Sequence, residues 1–445
     1  MKNLKLFNLA WPIFIETALF MLLGFIDVFV LSKYDDLAAS AVNVANQSVS
    51  IVTVVFTVIS GASAVLISQN LGADNKKRAS RIAALSITFN LLFGIIISIG
   101  LLLFNKEILT FIGAKGDILK FAGQYLSIVG GFIFLQAVLN AMAVIVRNHG
   151  ITQISMYVTV GMNIINTVLD IVFVLGLFGM PRMGVVGVAI ATTFSRFAGT
   201  IVLAVVLFKK VEKLSIFKLL KPFPIDDVKN IIKIGVPSAL ESFLYNLSQL
   251  VVTSIVLNCL AESALIAKNY VQNISMFFYI FAVSIGQASQ ILTGHLVGAN
   301  KLDEAYKQGF KSYKTALAIT MGMSALGILL RTQLMGIFTV DMAVITMGAN
   351  IIMINLILEF GRTTNLVVIA CLRGAGDVYF PTICAIFSMW IISALGSYIL
   401  AVVFDMGIYG LWIAFAADEC FRGVMMIWRW KNGKWRGKSL AKAAV

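Results

Sequence analysis

Asn8-Leu-Ala-Trp-Pro-Ile-Phe-Ile-Glu-Thr-Ala-Leu-Phe-Met-Leu-Leu-Gly-Phe-Ile-Asp-Val-Phe-Val-Leu31 is the stretch whose reading decides the fold. A membrane-spanning helix takes about 20 predominantly apolar residues, and this run is longer than that. It nevertheless holds Asp27. A carboxylate near the middle of such a helix costs roughly 2.5–3.5 kcal/mol on insertion scales, which makes it a functional candidate. The plain alternative is a surface residue at a helix end, since Lys33, Asp35 and Asp36 follow closely. Lys2 and Lys5 give the run a signal-peptide-like start. It lacks a small-residue cleavage site and is too long, so it is expected to remain as the first span.

The rest of the chain agrees with a membrane setting. Its 445 residues are 59% hydrophobic and 13% charged, with mean hydropathy +0.93. A soluble domain carries about 25% charged residues. Twelve apolar segments follow one another, near 8–32, 43–71, 81–104, 121–146, 153–178, 184–208, 232–257, 265–297, 309–331, 345–371, 382–404 and 407–430. Each is long enough to span as a tilted helix. Ten-residue alternation of polar and apolar residues is missing, which argues against a β-barrel.

The basic residues orient these spans. If the segments cross in turn, the connections on one side carry 25 lysines and arginines and those on the other carry 7. Only Arg196, Arg362 and Arg422 fall within spans. Both termini are therefore expected in the cytoplasm, in a protein of the cell membrane. The net charge of +14 is then a topology signal facing anionic lipid rather than nucleic acid. Cys259, Cys371, Cys384 and Cys420 lie in or beside apolar runs without metal-ligand spacing and read as reduced packing residues.

The longest basic connection, with Pro222 and Pro224, divides six spans from six, and it also divides two copies of one pattern. Trp11-Pro12-Ile-Phe-Ile-Glu16 is echoed by Val236-Pro237-Ser-Ala-Leu-Glu241. Leu71-Gly-Ala-Asp74 is echoed by Val297-Gly-Ala-Asn300, and Arg147-Asn-His-Gly150 by Arg373-Gly-Ala-Gly376. Met183-Gly-Val-Val-Gly187 is echoed by Met406-Gly-Ile-Tyr-Gly410. The order is kept and the offset stays near 226, the mark of an internal duplication. Six spans per copy is an even number, so the copies run parallel. The expected fold is an all-α integral membrane protein with twelve transmembrane helices in two pseudo-symmetric six-helix bundles. The expected divisions are 1–208 for the N-terminal bundle, 209–231 for a cytoplasmic linker, 232–430 for the C-terminal bundle and 431–445 for a basic tail.

The duplication does not copy the deep acids. At the repeat offset Asp27 falls on Val252 or Thr253, and Asp170 on Gly396. Asp27 lies about 22 Å along the first span from Pro12, and Asp170 about 25 Å along the fifth. Asn166 is one turn below Asp170 on the same face, and Asn163 a further turn down. Thr192 sits at matching depth in the sixth span. Asp27, Asn166, Asp170 and Thr192 can therefore meet in one layer of the first bundle. Two nearby carboxylates in low dielectric cannot both stay charged without a partner. A bound proton or a cation such as Na⁺ would answer that need; interhelical hydrogen bonding is the structural alternative.

Other polar groups in the spans are more ambiguous. Glu359 and Arg362 are three apart, and Asp418 and Arg422 four apart, so each pair can neutralise itself or meet a substrate. Tyr245, Asn246 and Gln249 make a polar stripe in the seventh span suited to lining a cavity. Glu16 and Glu241, each four residues after a proline, read as architectural because they are duplicated. Leu372-Arg-Gly-Ala-Gly-Asp377 lacks the Gly-Lys-Ser/Thr ending of a phosphate loop and reads as a turn. His149 and His295 sit at span ends, and neither a nucleophile–His–acid set nor a His/Cys metal cluster is visible.

Trp11-Pro12, Asp27, Asn166-x-x-x-Asp170, Ala191-Thr192, Leu372-Arg-Gly-Ala-Gly-Asp377 and Arg429-Trp-Lys-Asn-Gly-Lys-Trp435 together resemble the multidrug and toxic compound extrusion (MATE) transporters over nearly the whole chain. The resemblance implies antiport of organic, often cationic amphipathic compounds against Na⁺ or H⁺, by alternating access between two lobes. It implies that Asp27, Asn166, Asp170 and Thr192 hold Na⁺ or take a proton, with Asn163 behind them. Tyr245, Asn246, Gln249, Glu359 and Arg362 are then candidates for the substrate cavity. Some members use a second-lobe glutamate eight residues after the seventh-span proline; here that position is Tyr245. No cofactor is expected beyond the coupling ion. The expected partners are small organic substrates and the bilayer, with no nucleic acid and no obligate protein partner. A flippase for a lipid-linked precursor is the nearest alternative, disfavoured by the few arginines in the spans. A membrane-embedded enzyme is the alternative from another class, and it lacks a catalytic constellation. A channel is a third, less suited to a duplication with asymmetric acids.

Overall fold

The computed structural model of the protein describes residues 4–32 and 34–441. Lys2, Lys33 and Lys442, used in the charge count, and the end of the basic tail lie outside the described residues. The chain is helical, with no strand among the described residues. Twelve transmembrane helices follow in order: α1 (Leu6–Ser32), α2 (Asp36–Gly72), α3 (Lys76–Leu103), α4 (Gly116–Gly131 with Phe134–Asn148), α5 (Thr152–Leu175), α6 (Gly184–Val206), α7 (Ile225–Cys259), α8 (Glu262–Gly298), α9 (Leu302–Leu329), α10 (Met342–Gly374), α11 (Tyr379–Val403) and α12 (Gly407–Lys431). Nine are individually long and apolar enough to cross a membrane, and α4 makes ten when its bent halves are joined. The other two, α9 and α12, carry more charge; α12 alone contains Asp418, Glu419 and Arg422.

Two spans are less regular than their hydropathy suggests. The fourth segment is bent by 47° between Gly131 and Phe134, at a pair of glycines. Beyond the bend, the Phe134 amide donates to Ser98 Oγ on α3 at 3.3 Å. Helix α11 is π-wound at Met389–Leu395 and again at Ile399–Val403.

The chain divides into two compact units. One comprises Trp11–Ile67 and Asn75–Gly235; the other comprises Met1–Ala10, Ser68–Asp74 and Val236–Val445. The first is packed around Leu31, Val42, Phe56, Leu126, Val174 and Val188, all fully or almost fully buried. The second is packed around Val252, Val271, Ile351, Leu411 and Trp412. A satellite cluster there stacks Trp435 on Trp430 with ring centroids 4.3 Å apart. The start of the basic tail is thus folded back onto its bundle, which composition did not foretell. Apolar side chains such as Ile99, Leu103, Phe277 and Ile383 point outward, as a lipid-facing surface requires.

The repeated motifs fall where the backbone has special demands. In the second unit a Cβ on Gly72 would clash with the His295 carbonyl oxygen, and one on Gly298 with that of Gln69. Gly72 and Gly298 are repeat equivalents, and so are Gln69 and His295, so the crossing is reciprocal. The residues ending these motifs, Asp74 and Asn300, take left-handed φ of 55° and 57°, which Asp and Asn tolerate. The duplicated glutamates behave alike. Glu16 accepts from Arg147 Nη1 at 2.9 Å and from Ser155 Oγ at 2.8 Å. Glu241 accepts from Arg373 Nη2 at 2.7 Å and from Thr382 Oγ1 at 2.9 Å. Each carboxylate pins the start of one span to the ends of two others.

Candidate functional site

Helices α1, α5 and α6 bring four polar side chains together inside the first unit. Asp27 is 2% exposed, Thr192 1%, and Asn166 and Asp170 are fully buried. Asp27 is therefore no surface residue at a helix end. Asn166 and Asp170 share one face of α5 through their i, i+4 spacing. Thr192 faces them from α6, its Oγ1 within 3.3 Å of Asn166 Nδ2 and 3.5 Å of Asp27 Oδ2.

The Asn166 amide is better placed the other way round. An amide oxygen facing two carboxylates is repelled, and turning it over removes the conflict. Nδ2 then donates to Asp27 Oδ1 at 3.0 Å and to Asp170 Oδ2 at 3.1 Å, while Oδ1 accepts from the Thr192 amide at 3.3 Å. One carboxamide thus ties two carboxylates together. They are close enough for a protonated carboxyl of one to hydrogen-bond the other. Asp170 Oδ1 is left without a hydrogen-bond partner among the described residues. Asn163 donates to Thr159 O at 2.9 Å, and its own Oδ1 is likewise unpartnered.

Two further side chains belong to this environment and were not assigned to it from the sequence. Tyr125, on the first half of α4, interacts with Asp27, Asp170 and Thr192, and its hydroxyl donates to Asn46 Oδ1 at 3.1 Å. Arg196, one turn beyond Thr192, acts electrostatically on Asp27 and Tyr125. The i, i+4 spacing of Thr192 and Arg196 was a usable signal for the arginine. Nothing in the local pattern pointed to Tyr125.

A model of the MatE family matches residues 12–172 and 237–399, the first five spans of each bundle in turn. The chain belongs to the MatE family. It is 37% identical over 441 residues to the uncharacterized transporter YisQ of Bacillus subtilis, covering 99% of this chain and 96% of that one. It is 29% identical to the probable multidrug resistance protein NorM of Thermotoga maritima, covering 98% and 94%. Among solved structures, a multidrug resistance MATE transporter in an outward-facing conformation superposes with TM-score 0.89 at 21% identity, over 98% and 96% of the two chains. A MATE protein in its bent conformation gives 0.88 over 98% of each chain. This MatE-family chain is accordingly a multi-pass transporter of the membrane.

The second bundle of this MATE protein is charged differently. Its position equivalent to Asp27 holds buried Val252 and half-buried Thr253, and Thr253 Oγ1 receives a hydrogen bond from buried Lys268 at 3.3 Å. Its acids lie on α10 and α12 instead. Glu359 pairs with Arg362 at 2.6 Å, and Asp418 with Arg422 at 2.5 Å. Glu419, passed over in the sequence, joins the pairs: Oε1 is 3.2 Å from Arg422 and 3.7 Å from Arg362, and Oε2 accepts from Asn365 at 3.0 Å. Tyr245 bears on this network electrostatically, together with Tyr279 of α8. Asn246 is exposed and bonds back to Ser242 O, while Gln249 is half-buried.

Proposed function

We propose that the chain is a cation-coupled antiporter, in which Na⁺ or H⁺ binding at Asp27, Asn166, Asp170 and Thr192 drives export of organic, often cationic amphipathic compounds. The observation that carries this reading is the buried pair Asp27 and Asp170 tied through one amide, with Asp170 Oδ1 unpartnered. Hydrogen-bonding glue between helices needs only one acid; here there are two, and no arginine closes a salt bridge on either among the described residues. A site meant to be filled and emptied has both features. Carboxylate, carboxamide and hydroxyl oxygens are hard donors suited to Na⁺, and the same carboxylates can take a proton. Neither choice needs a cofactor.

Alternating access follows if the coupling ion and the substrate favour opposite-facing states, since a ligand shifts an equilibrium only through differential affinity. The lobes are those read from the duplication: 1–208 and 232–430, joined by the linker 209–231 and followed by the tail 431–445. Both termini are cytoplasmic, in the cell membrane, on the strength of 25 basic residues on one side against 7 on the other. The Glu359–Arg362 pair is a structural salt bridge first and a substrate contact only at its more exposed arginine end, 23% against 0%. The deciding experiment is dye efflux in proteoliposomes with Na⁺ and pH gradients imposed independently. Efflux following one gradient identifies the ion; efflux indifferent to both would leave the coupling reading without support.

A further inference from the structure

We infer that the connection between α6 and α7 is an interfacial strap that binds anionic phospholipid headgroups of the surrounding bilayer. All seven of its lysines between residues 209 and 233 are exposed, and none makes an ion pair among the described residues. Two of the three acids in the same stretch are turned inward and engaged. Glu212 accepts from Ser80 Oγ at 2.7 Å and lies 3.6 Å from His149 Nε2. Asp227 is held between Arg78 at 2.8 Å and Arg81 at 2.6 Å. The fold thus sorts a mixed sequence by sign, acids towards the protein and lysines away from it.

The strap also sorts its apolar residues. Ile216 is buried, and Phe217 packs on Phe208 with ring centroids 6.1 Å apart, which anchors the strap to its own unit. Leu214, Phe223 and Ile225 point outward at 68%, 59% and 58% exposure, set among Lys213, Lys218 and Lys221. Exposed apolar side chains flanked by unpaired lysines are what an anionic bilayer surface accepts: lysines reach phosphates while the apolar groups enter the acyl boundary. A soluble polyanion would use the lysines and leave the apolar groups in water. Anionic lipid is therefore the fitting occupant. The inference needs the membrane setting, which the family supplies, and does not depend on the coupling site.

Native mass spectrometry of the full-length protein, with phosphatidylglycerol or phosphatidylcholine as probe, tests this. Wild-type protein is expected to retain phosphatidylglycerol in preference to phosphatidylcholine. The triple variant Lys213→Gln, Lys218→Gln, Lys221→Gln should weaken phosphatidylglycerol retention by at least about tenfold, with phosphatidylcholine unaffected. Leu214→Ser, Phe223→Ser, Ile225→Ser should weaken retention of both lipids. Lys106→Gln, Lys115→Gln, Lys120→Gln is the control. It removes three exposed lysines from another connection, where the exposed acids Glu107 and Asp117 offset them, and should change little. Equal losses in the two lysine triples, or no lipid preference in the wild type, would overturn the strap. Displacement of phosphatidylglycerol by inorganic polyphosphate as readily as by lipid would overturn its assignment to the bilayer.

Discussion

Asp27 and Asp170 differ from Glu16, Glu241, Glu359 and Asp418 in facing each other rather than an arginine at salt-bridge distance. Glu16, Glu241, Glu359 and Asp418 each have an arginine within 3 Å. Arg196 acts electrostatically on Asp27 without closing a salt bridge on either aspartate among the described residues. Asp27→Asn or Asp170→Asn keeps shape and hydrogen bonding while removing one charge, so the purified protein is expected to fold normally and lose gradient-driven efflux. Wild-type coupled efflux from well-folded Asp27→Asn protein would refute the site. Sodium and protons would also compete for the same oxygens. The sign is direct: a proton on the pair blocks Na⁺, so apparent Na⁺ affinity should rise with pH, by up to about tenfold per unit where one proton is displaced. Isothermal titration with Na⁺ at several pH values reads this out, and a flat profile excludes a shared site.

The elements are held by devices that the duplication wrote twice. Pro12 and Pro237 open matched helices, and four residues on a glutamate ties each helix to an arginine and a hydroxyl of its own bundle. Glu16 is 4% exposed, so removing its arginine leaves a buried charge unpaired. Arg147→Ala should destabilise the protein by roughly 3–5 kcal/mol, visible as a lower thermal midpoint in detergent. Glu16→Gln combined with Arg147→Ala should recover part of that loss, because no charge is then stranded. A double variant no more stable than Arg147→Ala alone would show that the arginine acts through packing instead. The bend in α4 and the π-turns in α11 are not duplicated. Each bundle thus departs from the shared plan in its own way.

At the scale of the whole molecule, charge distribution sets orientation and composition sets environment. The 25-to-7 imbalance predicts that the Lys209–Lys233 connection is cytoplasmic. A single cysteine at position 218, in a chain with Cys259, Cys371, Cys384 and Cys420 replaced, should resist an impermeant maleimide in intact cells and react after lysis. Reaction in intact cells would invert the topology. Lys218 suits this test because it is exposed.

The sequence by itself determined the twelve spans, the duplication and the four residues of the candidate site. These are carried by signals local to one helix or constant along the chain: apolar length, a repeat offset near 226, and a rise of about 1.5 Å per residue that brings Asp27, Asn166, Asp170 and Thr192 to one depth. Depth, however, is only one coordinate. Which face of α4 turns Tyr125 towards Asp27, how Arg196 approaches the pair, and that Glu419 joins two neighbouring pairs all depend on helix rotation. Packing against neighbouring helices sets that rotation, and a pattern within one helix does not contain it. The same holds for the linker and the tail. Their composition reads as basic and solvated, yet Glu212 and Asp227 turn inward to partners on α3 and at the end of α4, and Trp435 stacks beneath Trp430. Tertiary structure decided these because the partners lie far away in sequence, and a buried charge or ring stays where it finds them.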